Sequence, residues 1–300
     1  MGTNLSGILN ICKPAGMTSH DVVGIVRKTL GLKRVGHAGT LDPDAVGVLP
    51  ICVGNSTRLA EYISGDKKKY RALICFGYET TTQDSSGKIL KRTDLPKMNH
   101  ESFRDFINLN FLGKQHQMPP MYSAVKINGK PLYKLAREGT VIERKEREIE
   151  IYSLEVKYYF GKTAMVDIEC SKGTYIRTLC NDIGTKLNSS AYMSYLIRTR
   201  VGSFELDAAV SMKKFRTEKE KHLIKPADAL NNIRSLLINQ EELIKKVLHG
   251  NSINEKEISN IVEEGICKVI DKDNNLLAIG YAQNGILKIV KVLGGQDENI

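Results

Sequence analysis

The chain has 300 residues, 41% hydrophobic and 26% charged, with a formal net charge of +10. These are values of a globular protein with a sizeable core, and the length suits one large domain or a large and a small one. No apolar run reaches the roughly 18 residues of a bilayer-spanning helix, and the start, MGTNLSGILNICKPAG, lacks a basic segment leading into an apolar one, so neither a membrane span nor a secretory signal is expected.

In chain order, residues 6–12 read as a buried strand, which argues against taking the Met-Gly start as a lipidation signal. KPAGMTSHDVVGIVRKTLG follows: a turn at Pro14 and Gly16, a cap at Thr18 or Ser19, then a helix. Its apolar stripe is Val22, Val23, Ile25, Val26 and Leu30, and Gly31 ends it. A loop, GHAGTLDPDAVGVLP, occupies 36–50. KKYRALICFG (68–77) is strand-like, TTTQDSSG is a polar turn, and residues 99–113 form an amphipathic helix with Phe103, Phe106, Ile107 and Phe111 near one face. Residues 117–148 are broken by prolines and glycines and interleave lysine and arginine with Tyr122 and Tyr133. That pattern suits phosphate contact plus base stacking, or else a solvated excursion.

Two alternating strands, EIEIYSLEVKYY and TAMVDIECS, precede KGTYIRTLCNDIGTKL, a turn into a helix. Residues 204–235 read as a connector. From 236 proline disappears and short β-like runs (GICKVID, NLLAIGYAQ, ILKIVKVL) alternate with turns, as in a small β-rich domain. Residues 236–300 carry 7 Lys and Arg against 10 Asp and Glu, a net of −3, leaving +13 on residues 1–235. A field of that sign favours a polyanion such as nucleic acid, and places the contact on the first 235 residues. The six cysteines, at 12, 52, 75, 170, 180 and 267, sit mostly in apolar runs without metal-like spacing, which predicts reduced core thiols and no zinc site.

The loop at 36–50 concentrates the chemistry. Asp42 precedes Pro43, which pushes its backbone into an extended conformation, and Gly36, Gly39 and Gly47 permit positive φ and close approach of another molecule. A reactive carboxylate needs that fixed backbone with room around it. Competing readings are a Mg²⁺ site at Asp42 and Asp44, and a plain structural turn. A Ser/His/Asp hydrolase would need a nucleophile elbow, and no G-x-S-x-G occurs.

GHAGTLDPDAVGVLP resembles the signature of the TruB family of pseudouridine synthases, which make the Ψ of the TΨC loop of tRNA. NICKPAGMTSHDVV resembles the family's K-P-x-G-x-[ST]-S motif, and KKYRALICFGYETTTQDSSG its K-x-Y strand and T-D-T-x-D-x-x-G segment. QMPPMYSAVKINGKPLYKLAREG, CSKGTYIRTLCNDIG and LIRTRVGSF match further stretches in order, from about Asn10 to Phe204. The match from KKVLHGNSI onward is weaker and resembles a small PUA-type RNA-binding module.

The resemblance implies an α+β fold: a catalytic domain with a mixed, mostly antiparallel sheet flanked by helices over 1–235, and a β-rich PUA-like domain over 236–300. Residues 117–148 would be a mobile insertion closing over the tRNA arm. It implies Asp42 as nucleophile, Arg177 as the cation that pairs with it, and Tyr70 as the active-site ring that stacks on the uracil. Tyr175 and Leu196 would wall the base pocket, and His37 would fill the gap left by the everted uridine. Lys13 would support the loop or a phosphate. The reaction breaks N1–C1′ and forms C5–C1′ of one nucleotide, so no cofactor or metal is expected. The implied partner is the tRNA T-arm at position 55, with no obligatory protein partner, no membrane, a monomer and a cytoplasmic location. Two alternatives stay open: the related guide-RNA-dependent branch, and an RNA-binding or RNA-folding protein without chemistry.

Overall fold

A computed structural model describes residues 5–65, 67–123, 125–127, 129–140, 142–258 and 263–294. The chain divides into two compact units. Unit 1 comprises Met1–Pro43, Val48–Gly65 and Val201–Ile300; unit 2 comprises Asp44–Gly47 and Asp66–Arg200.

In unit 1 the strand β1 (Gly7–Lys13) is buried at nearly every position and runs parallel to Val210–Ser211, with Ile11 opposite Val210. The helix α1 (Ser19–Leu30) starts at a reciprocal cap in which Thr18, not Ser19, is the N-cap, and it buries Val22, Val23 and Val26. β2 (Val35–His37) pairs antiparallel with β3 (Val46–Val53), setting His37 opposite Ile51. Gly36, expected among the positive-φ glycines, is an extended residue of β2, because the pair needs strand geometry there. Ile8, Val48, Cys52, Leu59, Phe204 and Leu230 share one core. Residues 204–235, expected as a connector, supply the strand beside β1, the helices Met212–Glu218 and Pro226–Ala229, and the buried Phe215.

Unit 1 also holds the β-rich C-terminal module, a five-stranded sheet ordered Arg234–Leu237, Gly265–Ile270, Leu276–Gln283, Ile286–Val292 and Ile253–Asn254. The first pair is parallel and the rest are antiparallel. The helix Glu241–Leu248 packs Leu243 and Val247 against Val269 and Leu287. Leu276 and Ile279 of this sheet share the core of Ile8 and Leu230, so the module is packed onto β1's side of unit 1. Lys268 is 7% exposed and donates to Ala227 O (2.7 Å) and Leu230 O (3.1 Å), and desolvation holds its ammonium below the usual lysine range.

Unit 2 is built on β4 (Lys67–Phe76), which pairs antiparallel with Thr163–Ser171; that strand pairs with Arg147–Tyr159, and Arg147–Tyr159 with Gly113–Gln117. On the other side of β4 lies Ala191–Val201, whose Ile197 and Arg198 pair parallel with Val46 and Gly47. Thr163–Ser171 alternates as its sequence predicts: Ala164, Val166, Ile168 and Cys170 face the core, while Asp167 and Glu169 face out. There Arg71 grips Asp167 through two bonds of 2.6 and 2.7 Å, and Arg200 donates to Glu169 at 2.6 Å. The helix His100–Phe111, capped by Asn99, buries Phe103, Ile107 and Phe111, and Phe103 stacks on Tyr159 with centroids 4.6 Å apart. Within 117–148, Lys126–Ile127 pairs with Lys130–Pro131 ahead of a short helix, Leu132–Arg137.

Gly47 adopts φ +109, and a Cβ added there would overlap the Arg198 carbonyl oxygen. Gly47→Ala is expected to destabilise the protein by about 3 kcal/mol through strain plus overlap, read as a fall in the thermal midpoint. Among the described residues no helix is long and apolar enough to cross a membrane.

Candidate active site

Unit 1 supplies a pinned carboxylate. After His37 the chain leaves β2 and runs to the half-buried Asp42, and both flanks of Asp42 are held. Before it, Ser19 Oγ accepts from the Leu41 N–H (2.9 Å) and donates to Leu41 O (3.0 Å). After it, Pro43 O accepts from the Gly16 N–H (3.0 Å) and from the Lys13 ammonium (2.8 Å). Lys13 also donates to Pro14 O (2.8 Å) and Met17 O (2.6 Å), and it is wholly buried. Three backbone carbonyl oxygens thus accept from this buried ammonium. The K-P turn is therefore a clamp on the residue after Asp42. His37 is half-buried at the end of β2, and Asp44 is exposed.

Unit 2 holds Tyr70, Tyr175, Arg177 and Leu196. Tyr70 is 8% exposed, on β4 opposite Ile168. Leu196 is buried on the strand beside β4. Tyr175 is the half-buried N-cap of the helix Ile176–Lys186 and offers no side-chain cap. Gln117 takes over there: its Oε1 accepts from the Tyr175 N–H (2.8 Å) and its Nε2 donates to Tyr175 O (3.0 Å), fixing the helix start.

Arg177, in the first turn of that helix, is 5% exposed. Its Nη1 donates to Thr82 O (3.2 Å) and to Asp84 Oδ2 (3.3 Å), and its Nη2 donates to Tyr122 O (2.8 Å). Asp84 is held from its other side: Oδ1 accepts from Thr82 Oγ1 (2.6 Å), Ser86 Oγ (2.6 Å) and the Ser86 N–H (3.0 Å). Gln83, next to it at φ +62, accepts from Thr178 Oγ1 (2.9 Å). A carboxylate bonded on both sides has a fixed position and orients the guanidinium. Asp84 lies in TTTQDSSG, which the sequence marks as a polar turn and as part of a family-like T-D-T-x-D-x-x-G segment without assigning the aspartate a role. The signal was there in an aspartate bracketed by hydroxyl residues at i−2 and i+2.

Further along the same helix, burial pushes the Asp182 carboxyl up to about 6. A folded-state value above the unfolded one means that the native protein holds the extra proton, so stability falls as pH rises from about 4 through 6. Asp182→Asn is expected to stabilise the protein by about 2 kcal/mol at pH 7.5 and hardly at pH 4, measured as thermal midpoints at the two pH values. All six cysteines are free thiols, and five are buried. Desolvation pushes Cys52 up to about 12 and Cys170 to about 11, which makes both inert.

Residues 27–176 match the TruB family pseudouridylate synthase (N terminal domain), and residues 177–244 match the tRNA pseudouridylate synthase B C-terminal domain. The tRNA pseudouridine synthase B of Alkaliphilus oremlandii is 43% identical over 96% of this chain and 98% of its own length. The one from Caldanaerobacter subterraneus subsp. tengcongensis is 40% identical over 93% and 96%. Among solved structures, a Cbf5-Nop10-Gar1 complex aligns with TM-score 0.76 at 25% identity over 97% of this chain and 86% of that one. An H/ACA RNP bound to a substrate RNA containing 2'-deoxyuridine aligns with TM-score 0.75 at 23% identity over the same shares, a likeness of fold. With family matches over both parts and relatives of such identity along nearly its whole length, the chain belongs to the TruB family of pseudouridylate synthases, which are isomerases.

Proposed function

We propose that this chain converts the T-loop uridine of tRNA, at position 55, to pseudouridine, with Asp42 as nucleophile. The observation that carries the reading is the clamp on Asp42: Leu41 held by Ser19 and Pro43 held by Gly16 and Lys13 present one half-buried carboxylate on a rigid backbone. A displacement at the ribose C1′ or an addition at the uracil C6 needs that preorganisation. Product and substrate are isomers. One N1–C1′ bond is exchanged for one C5–C1′ bond, and the C5 proton is given up as a nitrogen proton is regained, so electrons balance with no redox partner.

Arg177 serves as the cation for this chemistry, oriented by Asp84. Tyr70 stacks on the base, Tyr175 and Leu196 wall it, and His37 occupies the gap that an everted nucleotide leaves, offsetting a few kcal/mol of lost stacking. The +13 surplus on residues 1–235 draws the T-arm in. The protein works alone, as a monomer in the cytoplasm, where its substrate is.

The test uses the purified chain with a T-arm hairpin transcript, without other protein or RNA, and maps pseudouridine by position. Modification confined to position 55, and lost when that uridine is replaced by cytidine, supports the reading. Activity only after a guide RNA and partner proteins are added would favour the guide-dependent branch, and tight binding without conversion would favour a non-catalytic RNA-folding protein.

A further inference from the structure

Helix α1 is capped without help from its first residue. Thr18 Oγ1 accepts from the Asp21 N–H at 3.0 Å, and the Asp21 carboxylate accepts from the Thr18 N–H at 2.8 Å, which closes the reciprocal box at the helix start. Ser19 therefore carries a hydroxyl that the helix does not require, yet it is only 3% exposed. Burying a hydroxyl is unfavourable unless it is bonded. This one is committed to a single residue 22 positions away, accepting from the Leu41 N–H at 2.9 Å and donating to Leu41 O at 3.0 Å.

One oxygen that holds both the donor and the acceptor of the same residue fixes the two peptide planes on either side of its Cα. The second of those planes ends at the Cα of Asp42. Lys13 and Gly16 bond farther along, at the Pro43 carbonyl. We propose that Ser19 is a positioning residue for the reaction: its hydroxyl locks the Leu41 peptides so that the Asp42 carboxylate is presented in one attack geometry. The inference rests on Asp42 being the nucleophile.

The test takes the full chain as Ser19→Ala and Ser19→Thr, with steady-state kinetics on tRNA and hydrogen exchange of backbone amides. For Ser19→Ala, kcat is expected to fall about 10- to 100-fold, the scale of a misplacement near 1 Å. KM and tRNA affinity stay within about twofold. The Leu41 amide loses protection while the amides of α1, capped by Thr18, keep theirs. Ser19→Thr, which retains the hydroxyl, keeps Leu41 protected and recovers turnover. A kcat for Ser19→Ala within about twofold of wild type, a loss carried by KM instead, or Leu41 and α1 amides exchanging together would overturn the proposal. Substantial turnover by Asp42→Ala would instead defeat the nucleophile reading, and this inference with it, whatever Ser19→Ala does to Leu41 exchange.

Discussion

Asp42→Ala is expected to reduce pseudouridine formation by more than about 10⁴-fold, the order reached when a covalent nucleophile is removed, while tRNA binding stays within a few-fold. The separation follows from the geometry. The clamp bonds of Ser19, Gly16 and Lys13 run to the Leu41 peptides and the Pro43 carbonyl rather than to the carboxylate that attacks. Asp42→Asn is the sharper variant, because it keeps size and polarity and removes only the charge that attacks. Position-resolved pseudouridine mapping beside a binding isotherm measures both quantities. By the same logic Asp44→Ala should keep near-wild-type turnover, since Asp44 is exposed and has no assigned role.

Arg177→Lys should lower kcat/KM by about 10²- to 10³-fold despite preserving the charge. The guanidinium reaches Asp84 and Thr82 O through Nη1 and Tyr122 O through Nη2, from a position 5% exposed. A lysine ammonium is a single point on a flexible stem and cannot span both sides of that fork. Arg177→Ala goes further and removes all three of these bonds along with the charge facing the half-buried Asp84, so its thermal midpoint should fall as well. Asp84→Asn keeps the hydroxyl contacts at Oδ1 and removes the charge facing Arg177; turnover should drop with a smaller loss of stability. Equal losses of folded protein and turnover across the three variants would make the pair a structural one only.

Elements with a strong period were legible in the sequence. The helix over 99–113 showed its phenylalanine stripe, Thr163–Ser171 its alternation, and the C-terminal strands their β-branched runs between Asn and Gly turns. What escaped had no local signature. Two-residue strands such as Val210–Ser211 are too short to carry a period, so 204–235 read as a connector although it lies beside β1. Helix Glu241–Leu248 has no capping side chain at Gln240 and passed unnoticed. The burial of Lys13 had no local signature, because one of its acceptors is the Pro43 carbonyl, 30 residues away. Asp84 and Arg177 are 93 residues apart, so no window along the chain contains both. The loop itself was legible as a rigid carriage for Asp42. The hydroxyl of Ser19 that rigidifies it was not, since Thr18 and Ser19 are equal as cap candidates until Asp21 selects Thr18.

The most direct measurement is tritium release from tRNA carrying [5-³H]uridine, with the purified chain alone and Asp42→Asn beside it at equal bound fraction. Release approaching one site per tRNA by the wild type, and none above background by Asp42→Asn, is the predicted result. Release by Asp42→Asn at a rate comparable to wild type would contradict the assignment of Asp42 and the account built on its clamp.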